Sequence, residues 1–405
     1  MRDIVVVGAG FAGLWAALGA ARRLDELAVA AGAVTVTVLT SKPFHDIRVR
    51  NYEADLAGCR LPLATILDPV GVAHVTAEVT EIDAAAGTVT AVEGEGRRTV
   101  RGYDRLVLAS GSRLFTPDVP GLAEFAFDVD TYDGAAALAQ HLAELAGRDV
   151  TPAAATVVVV GAGLTGIETA CELPGRLDAL FGHGITPRVV LVDHSPVGSD
   201  MGESARPVIE SALSDNGVEA MSGVRVVAVE QQGVTLSSGE WLAAATVVWC
   251  AGMRASTLAA QLPVTLDRLG RVPVDDYLRV VDVPEVFAAG DVAAARMDDD
   301  HLSVMSCQHS RPMGRYAGYN VVGDLLGEPM LALRIPWYVT VLDLGPAGAV
   351  YTEGWDRHLV SRGAVAKATK STINTQRIYP PLTGDRTALL AAAAPDLQAR
   401  PEVGH

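Results

Sequence analysis

The chain alternates between short runs of apolar residues and longer runs with helical periodicity, a pattern typical of α/β proteins. Residues 4–7 predict a buried strand, and the Ala- and Leu-rich run after the next turn, to about Arg23, predicts a helix. The same succession recurs at residues 156–160 and in the run that follows them. The pattern therefore predicts two related strand–turn–helix units.

Further apolar runs complete the predicted order of elements. They predict strands at 33–39, 188–193, 246–252, 339–342 and 347–351, a small antiparallel sheet between 72 and 100, and a helix from 305 to about 326. A turn-rich stretch at 116–121 interrupts the pattern, and we place the first domain boundary there.

The turn after the first strand carries glycines at G-x-G-x-x-G spacing, at Gly8, Gly10 and Gly13. The first glycine allows a tight turn, the second lets backbone N–H groups approach a pyrophosphate, and the third lets the helix pack on the strand. Phe11 and Ala12 complete the loop. A strand before and a helix after are the context that a dinucleotide-binding loop requires.

A second copy of this loop makes the interpretation stronger. Gly161, Gly163 and Gly166 repeat the spacing, with Leu164 and Thr165 between them. Two dinucleotide clefts in one chain suggest two dinucleotides, and hydride transfer between a nicotinamide and a flavin is the simplest chemistry that needs both.

The residues at the end of the strand after each loop differ. The first copy ends in Thr40, Ser41 and Lys42, which lack the acid that often binds ribose hydroxyls. The second ends in Asp193, which can accept both hydroxyls of NAD and would repel a 2′-phosphate. We therefore expect NADH rather than NADPH on the second loop.

Two cations after the first unit have two open interpretations. Lys42 or Arg48 could lie near the N1–C2=O edge of a flavin and stabilise its anionic reduced form. Alternatively, they are solvated or pair with Asp46, Glu53 or Asp55.

Small residues mark other points where the chain can run close to a cofactor. Ala109 and Gly111 end one predicted strand, Gly252 ends another, and Val79 lies in the predicted antiparallel sheet. Gly290 and Asp291 follow a third strand, where the carboxylate could accept hydrogen bonds from a ribityl chain. The alternative for Asp291 is a helix N-cap, but two nucleotide loops upstream favour the cofactor.

Composition excludes several classes. A net charge of −16 argues against binding to nucleic acid and to anionic membrane surfaces. The four cysteines lie far apart, which leaves neither a redox disulfide nor a metal-binding pattern, and free cysteines favour a reducing cytoplasm. The apolar run from Ile4 to Ala21 contains the loop glycines and lacks a basic flank, so we expect no signal peptide and no integral membrane segment.

With these motifs the chain resembles the FAD/NAD flavoproteins with two dinucleotide-binding domains, the pyridine nucleotide-disulphide oxidoreductase superfamily. Within it the chain is similar to type II NADH dehydrogenases and to apoptosis-inducing-factor-like NADH oxidoreductases, but it lacks a redox cysteine pair. The resemblance implies an α/β fold of two Rossmann-like domains, as in glutathione reductase, plus a small α+β C-terminal region. It implies an FAD domain of residues 1–115 and 251–326, an inserted NAD(H) domain of 116–250, and a C-terminal region of 327–405.

The resemblance also implies site residues and a reaction. FAD would lie on the first loop and NADH on the second, with hydride passing to flavin N5 and electrons going on to a quinone or quinone-like small molecule. Glu168 matches the family's acid near the stacked rings, and Gln308 matches a glutamine beside the flavin and the quinone. Cys307 departs from the family's alanine, and the neighbouring His309 is more simply a structural residue than a proton donor.

Two alternatives to quinone reduction stay open. One is reduction of a soluble electron-carrier protein such as ferredoxin, for which a local basic patch of Arg311, Arg315, Lys367 and Lys370 could serve as the docking site. The other is a low-turnover NADH-binding redox sensor. The sequence does not determine the oligomeric state, although a homodimer is one expectation.

Overall fold

The elements follow the predicted alternation of strands and helices in this computed structural model, which describes residues 2–147, 151–182, 186–397 and 399–401. The strands are β1 (Arg2–Val7), β2 (Val34–Thr40), β3 (Phe44–Asp46), β4 (Arg60–Pro62), β5 (Ala73–Asp83), β6 (Thr88–Glu93), β7 (Arg98–Gly102), β8 (Arg105–Leu108), β9 (Ser112–Leu114), β10 (Ala126–Phe127), β11 (Thr156–Val160), β12 (Arg188–Asp193), β13 (Val218–Ser222), β14 (Val226–Glu230), β15 (Gly233–Leu236), β16 (Trp241–Ala243), β17 (Thr246–Trp249), β18 (Met253–Ala255), β19 (Val272–Pro273), β20 (Val286–Ala288), β21 (Ala293–Ala294), β22 (Val339–Asp343), β23 (Ala349–Glu353) and β24 (His358–Arg362).

The helices lie between these strands and after them. They are α1 (Phe11–Glu26), α2 (Ala64–Leu67), α3 (Leu122–Phe125), α4 (Tyr132–Ala146), α5 (Leu164–Phe181), α6 (Arg206–Asp215), α7 (Cys307–Leu326), α8 (Gly363–Thr372) and α9 (Arg386–Ala392). A π-helical turn, Ile373–Arg377, extends α8.

The first sheet has the strand order β20-β8-β1-β2-β5-β6-β7. The strands from β20 to β5 pair in parallel, and β6 and β7 add an antiparallel edge. The small antiparallel sheet expected between 72 and 100 is present as β5, β6 and β7, and because β5 also pairs with β2 it continues the main sheet.

Helices α1 and α7 pack closely on this sheet because glycines remove side chains at their crossing. A Cβ at Gly314 would lie 2.3 Å from the Ala12 carbonyl oxygen, and one at Gly318 would lie 2.2 Å from the Ala16 carbonyl oxygen. This contact places the N-terminal turn of α7 beside the first glycine loop.

The second sheet, β10-β17-β11-β12-β13, is parallel throughout, and β11 and β12 are almost completely buried. An antiparallel meander of β14, β15 and β16 packs beside it. Strand β20 follows this unit in the chain and yet pairs with β8 of the first sheet. We therefore propose that residues 1–115 and 251–326 form one discontinuous domain around an inserted domain of 116–250.

The C-terminal region is a three-stranded antiparallel sheet, β22-β23-β24, with α8 packed on it. Leu342, Leu344 and Val350 from this region join the hydrophobic core of the second sheet. The region thereby packs against α5, which starts at the second glycine loop.

Candidate active site

The first glycine loop has the geometry of a phosphate cradle. Gly8 has φ +101°, and a Cβ there would lie 2.4 Å from the Ala109 carbonyl oxygen, so only glycine fits. A Cβ at Gly13 would lie 2.0 Å from the Gly8 carbonyl oxygen. Gly10 is the N-cap of α1 and brings no side-chain cap, so the helix N-terminus is free to bind an anion.

A groove of about 640 Å³ continues from this loop. Thr40, Ser41 and Val79 line it on one side, and Ala109 to Ser112, including Gly111, line it on the other. The buried hydroxyl of Ser110 has no hydrogen-bond partner among the described residues. A free polar atom beside an uncapped helix N-terminus fits the polar parts of a dinucleotide such as FAD.

Asp291 is held between two serines. Its carboxylate accepts hydrogen bonds from Ser112 Oγ at 2.6 Å and from Ser310 Oγ at 3.1 Å. It lies inside the short helical turn Gly290–Val292, whose N-cap is Ala289, so Asp291 is not an N-cap. The arrangement places a carboxylate, with lone pairs to spare, between the glycine loop and α7.

Arg48 and Lys42 lie in different environments. Arg48 Nε donates to Asp130 Oδ1 at 2.9 Å, and Arg48 Nη1 lies 3.7 Å from Asp291 Oδ2, so this side chain is fixed at the edge of the groove. Lys42 is half exposed and pairs with Asp133. Neither cation pairs with Asp46, Glu53 or Asp55 in the described residues.

The second glycine loop repeats the geometry of the first. Gly161 also has φ +101°, and a Cβ at Gly166 would lie 1.7 Å from the Gly161 carbonyl oxygen. Gly163 is the N-cap of α5 and, like Gly10, brings no side-chain cap.

Asp193 stands beside this loop at the end of β12. Its Oδ2 accepts the Ala162 N–H at 2.7 Å and its Oδ1 accepts the Ser195 N–H at 2.7 Å. The carboxylate therefore orders the loop, a role that the sequence does not reveal. Gly252 has φ +78° and contacts Phe115. The two residues flank the antiparallel pair of β9 and β18, which joins the two sheets.

A cavity of about 260 Å³, the central cavity, lies between the first turns of α5, the first turn of α7 and the C-terminal region. Its wall includes Leu164, Thr165 and Glu168 from the first turns of α5, and Cys307 and Gln308 from the first turn of α7. Gln308 Oε1 accepts the Val339 N–H at 3.2 Å, which ties α7 to β22. Most of the remaining wall is apolar or aromatic and includes Met305, Trp337, Tyr338, Val341 and Ile373.

A buried ion pair forms one side of the central cavity. Lys370 Nζ lies 2.7 Å from Glu168 Oε1, and it also donates to the Val341 carbonyl oxygen at 3.1 Å. The Asp343 N–H donates to the same carboxylate oxygen at 3.1 Å. Burial raises the pKa of Glu168, and Lys370 opposes that rise. Burial lowers the pKa of Lys370, but the charge and hydrogen bond of Glu168 together with the charge of Asp343 outweigh burial and raise that pKa.

This pair continues into a network of polar side chains. Asp343 pairs with Lys367 and accepts the Tyr52 hydroxyl at 3.2 Å. Asn374 Nδ2 lies 3.3 Å from the Tyr52 hydroxyl and 2.9 Å from Glu53 Oε1. Burial raises the pKa of Tyr52, with the charges of Glu168 and Asp343 adding to it. Sequence reasoning did not identify this network, because its members come from segments that carry no local motif.

The expected basic docking patch is not an exposed surface. Arg315 is 4% exposed and Lys370 is 8% exposed. Lys370 is bound to Glu168 and Lys367 to Asp343, which leaves little of this cluster for a protein partner.

His309 has the environment of a structural residue. It is fully buried, and its Nδ1 accepts the Val304 N–H at 2.8 Å. Burial lowers the pKa of His309 to about 4.

Comparison with known proteins assigns the family. The family model described as pyridine nucleotide-disulphide oxidoreductase matches residues 2–314. The chain belongs to this family. It is 73% identical over 404 residues to an NADH dehydrogenase-like protein of Mycobacterium tuberculosis, covering 99% of this chain and 100% of that protein. It is 26% identical over 400 residues to a type II NADH:quinone oxidoreductase of Staphylococcus haemolyticus, covering 93% and 95% of the two chains.

A solved structure, that of NDH2 from Plasmodium falciparum in complex with NADH, shows the same fold. It superposes with a TM-score of 0.77 at 12% identity and covers 97% of each chain. The α/β fold of two dinucleotide-binding units is confirmed. The family and the 73%-identical relative confirm the enzyme class, an NADH-oxidising flavoenzyme, and its cofactors FAD and NADH.

Two further features of the described residues bear on the site. None of their helices is both long and apolar enough to cross a membrane. Their His, Cys, Asp and Glu side chains form no cluster that could hold a metal ion.

Proposed function

We propose that this enzyme is an NADH:quinone-type oxidoreductase and that its acceptor, a quinone or quinone-like planar molecule, binds in the central cavity. One observation carries the proposal: the first turns of α5 and α7 face the same cavity, so both cofactor-binding units meet there. The type II NADH:quinone oxidoreductases among its relatives support the same acceptor class.

The cofactor supplies the redox chemistry, and the chain supplies binding and orientation. Bound FAD serves as a two-electron carrier that takes hydride from NADH and gives electrons to the acceptor. The loops of Gly8 to Gly13 and Gly161 to Gly166 hold the pyrophosphates of FAD and NADH, and Asp291 binds the ribityl chain. Holding the reacting rings in line removes much of the entropic barrier to transfer.

The walls of the central cavity suit a planar carbonyl compound. Trp337 provides aromatic surface on which a ring can stack, and Tyr338, itself stacked on Trp355, adds to the aromatic wall. The amide oxygen of Gln308 accepts the Val339 N–H. Its NH2 group has no acceptor among the described residues, so it can donate to a carbonyl oxygen of the ligand.

Reduction of a quinone by NADH (Q + NADH + H⁺ → QH2 + NAD⁺) consumes one proton beyond the transferred hydride, and the ion pair lines the cavity proposed for the acceptor. Lys370 Nζ carries three N–H donors, of which Glu168 and the Val341 carbonyl use two. We propose that Lys370 holds a proton for the acceptor while Glu168 keeps its charge and position.

Several finer assignments belong to the same proposal. Asp193 favours NADH over NADPH. Four free cysteines, Cys59, Cys171, Cys250 and Cys307, favour a reducing compartment such as the cytoplasm. The homodimer stays a prediction.

Anaerobic stopped-flow reduction by NADH, followed by mixing with menadione, a benzoquinone or ferricyanide, tests the function. We expect fast bleaching of the flavin absorbance by NADH and fast reoxidation by the quinones. Fast bleaching followed by sluggish reoxidation by every quinone would contradict the proposed acceptor. A Gln308→Ala variant should slow the quinone step more than the NADH step, because Gln308 is placed on the acceptor.

A further inference from the structure

A second cavity of about 420 Å³ adjoins the central cavity at Arg311 and Arg377, and we name it the arginine cleft. It is lined by Trp15 of α1, by Arg311 and Arg315 one turn apart on α7, and by Arg377, with Pro380 and Leu397 among its apolar wall residues. Arg311 and Arg377 also line the central cavity, so the two cavities are neighbours.

The three arginines of this cleft have no counter-charge in the described part of the chain, where no carboxylate forms an ion pair with any of them. Arg315 donates to the Leu397 carbonyl oxygen at 3.3 Å, and Arg377 donates to the Ala399 carbonyl oxygen at 2.7 Å. Arg311 stacks 5.3 Å from the centre of the Trp15 ring. In a chain of net charge −16, three neighbouring cations without an acid are unusual.

The unpaired polar atoms of the cleft are all donors. Arg311 Nε, Arg315 Nε and Trp15 Nε1 are buried, and none has a hydrogen-bond acceptor among the described residues. Arg315 is 4% exposed and Trp15 is 1% exposed, so water reaches them little. Protein atoms cover these three donors, so a ligand in the cleft would bind the Nη groups beside them. Among the described residues only one of these Nη groups on Arg311 and Arg315 has an acceptor, Arg315 Nη1 on the Leu397 carbonyl, so a ligand that brings acceptors would pair the others.

The electrostatics of the cleft agree with this chemistry. Burial lowers the pKa of Arg311 to about 10 and, together with the charge of Arg311, lowers the pKa of Arg315 to about 9. Both guanidinium groups stay protonated at neutral pH, and a bound anion would relieve their mutual repulsion.

We propose that the arginine cleft binds the carboxylate or phosphate group of a small organic anion, whose apolar part contacts Pro380 and Leu397. Planar guanidinium groups match the geometry of such oxyanions. The anion comes from one of two sources. It is either a charged substituent of the electron acceptor that reaches past Arg311 from the central cavity, or part of a separate molecule.

Direct binding tests the site without turnover. Isothermal titration of the FAD-loaded enzyme with 2-naphthoate, at constant ionic strength, is compared with titration with the uncharged naphthalene-2-carboxamide. We expect 2-naphthoate to bind and the Arg315→Met variant to bind it at least about 10-fold more weakly, since it loses a charge-assisted hydrogen bond. Arg315→Lys should recover part of the affinity. Arg225→Met removes an exposed arginine of the inserted domain and serves as the matched control.

Steady-state kinetics then identify the source of the anion. The ratio of the KM for 1,2-naphthoquinone-4-sulfonate to the KM for menadione should rise about 10-fold in Arg315→Met if the anion belongs to the acceptor. If the anion is a separate molecule, 2-naphthoate affinity falls in the variant while this ratio keeps its wild-type value. The titration measures binding without an electron acceptor. Its result is therefore independent of whether quinones are the acceptor class.

Two results would overturn the proposal. One is equal affinity of wild type and Arg315→Met for 2-naphthoate, or no binding to either. The other concerns Glu402, which lies outside the described residues: if Glu402→Gln binds 2-naphthoate and the wild type does not, the chain's own C-terminus occupies the cleft. The FAD-to-protein ratio of each variant shows that it is folded.

Discussion

Lys370 Nζ lies 2.7 Å from Glu168 Oε1, although 202 positions separate the two residues along the chain. Both side chains are buried, and together they join the start of α5 to the C-terminal region at the wall of the central cavity. A buried charge is tolerated only with a close partner, so the pair fixes how these two parts of the chain pack.

Removing one member of this pair should be costlier than removing both. Lys370→Met leaves the Glu168 carboxylate buried without its cation, and we expect the free energy of unfolding to fall by about 3–5 kcal/mol. The Lys370→Met/Glu168→Gln double variant has no buried charge and should recover much of that loss. Urea denaturation at neutral pH of both single variants and the double variant measures the coupling.

Lys367→Met provides the control for this cycle. Lys367 is also a lysine of α8 and pairs with Asp343, but its side chain is 40% exposed. Its loss should therefore cost about 1 kcal/mol or less. A Lys370→Met variant no less stable than Lys367→Met would show that Glu168 does not depend on its partner.

The open space at Gly10 allows a sharp test of FAD binding. No atom lies within 4 Å of a Cβ built on Gly10. Gly10→Glu should therefore fold normally but place a negative charge where the pyrophosphate binds, and we expect at least about a 10-fold lower FAD content. Gly10→Ala adds the Cβ without the charge and should lose less FAD than Gly10→Glu, because it impairs only the close approach of the pyrophosphate. The ratio of flavin to protein absorbance after purification measures both, and a fully yellow Gly10→Glu protein would exclude FAD from this loop.

The local motifs were predictable from sequence because their chemistry depends on short spacings. Gly8 and Gly161 need a positive φ directly after a strand, and that requirement appears in the sequence as a glycine at a fixed position. The order of strands and helices was likewise predictable, because the periodicity of apolar residues is also a local property of the sequence.

Interactions between distant segments were not predictable in this way. The sequence suggested an exposed basic patch that included Arg315 and Lys370, because nothing near them in the chain shows that they are buried. The partner of Lys370 is determined by how α8 packs on β22 and α5, which only the tertiary structure shows. Likewise, Asp193 has a second role toward the Ala162 N–H that its position at a strand end does not reveal.

This second role of Asp193 shapes a prediction on nucleotide choice. Asp193→Ser removes both the charge that repels a 2′-phosphate and the acceptor for the loop N–H. We expect the ratio of kcat/KM for NADH to kcat/KM for NADPH to fall by about 10- to 100-fold, with some loss for both nucleotides. Asp193→Asn keeps one acceptor oxygen and should change the ratio with less loss of NADH turnover. An unchanged ratio in both variants would show that Asp193 acts on the loop alone.

Buried His309 should make the protein less stable in mild acid. Its pKa is about 4 in the folded protein and about 6.5 when unfolded, because burial disfavours the charged ring. Between these values the unfolded chain binds more protons, so the free energy of unfolding decreases as the pH falls from about 6.5 to about 4. The free energy of unfolding should fall by about 3 kcal/mol over this whole pH range, and about 2 kcal/mol of that fall should have occurred by pH 5.

His309→Gln isolates this effect, because its amide oxygen can still accept the Val304 N–H that His309 Nδ1 accepts at 2.8 Å. Urea denaturation at pH 7 and pH 5, with saturating FAD, should show the wild type losing about 2 kcal/mol more than His309→Gln. His358→Gln removes an exposed histidine of β24 and should behave like the wild type. Equal losses in wild type and His309→Gln would contradict this prediction. They would mean that the His309 ring is protonated in the folded enzyme. Its Nδ1 would then donate to an acceptor instead of accepting the Val304 N–H.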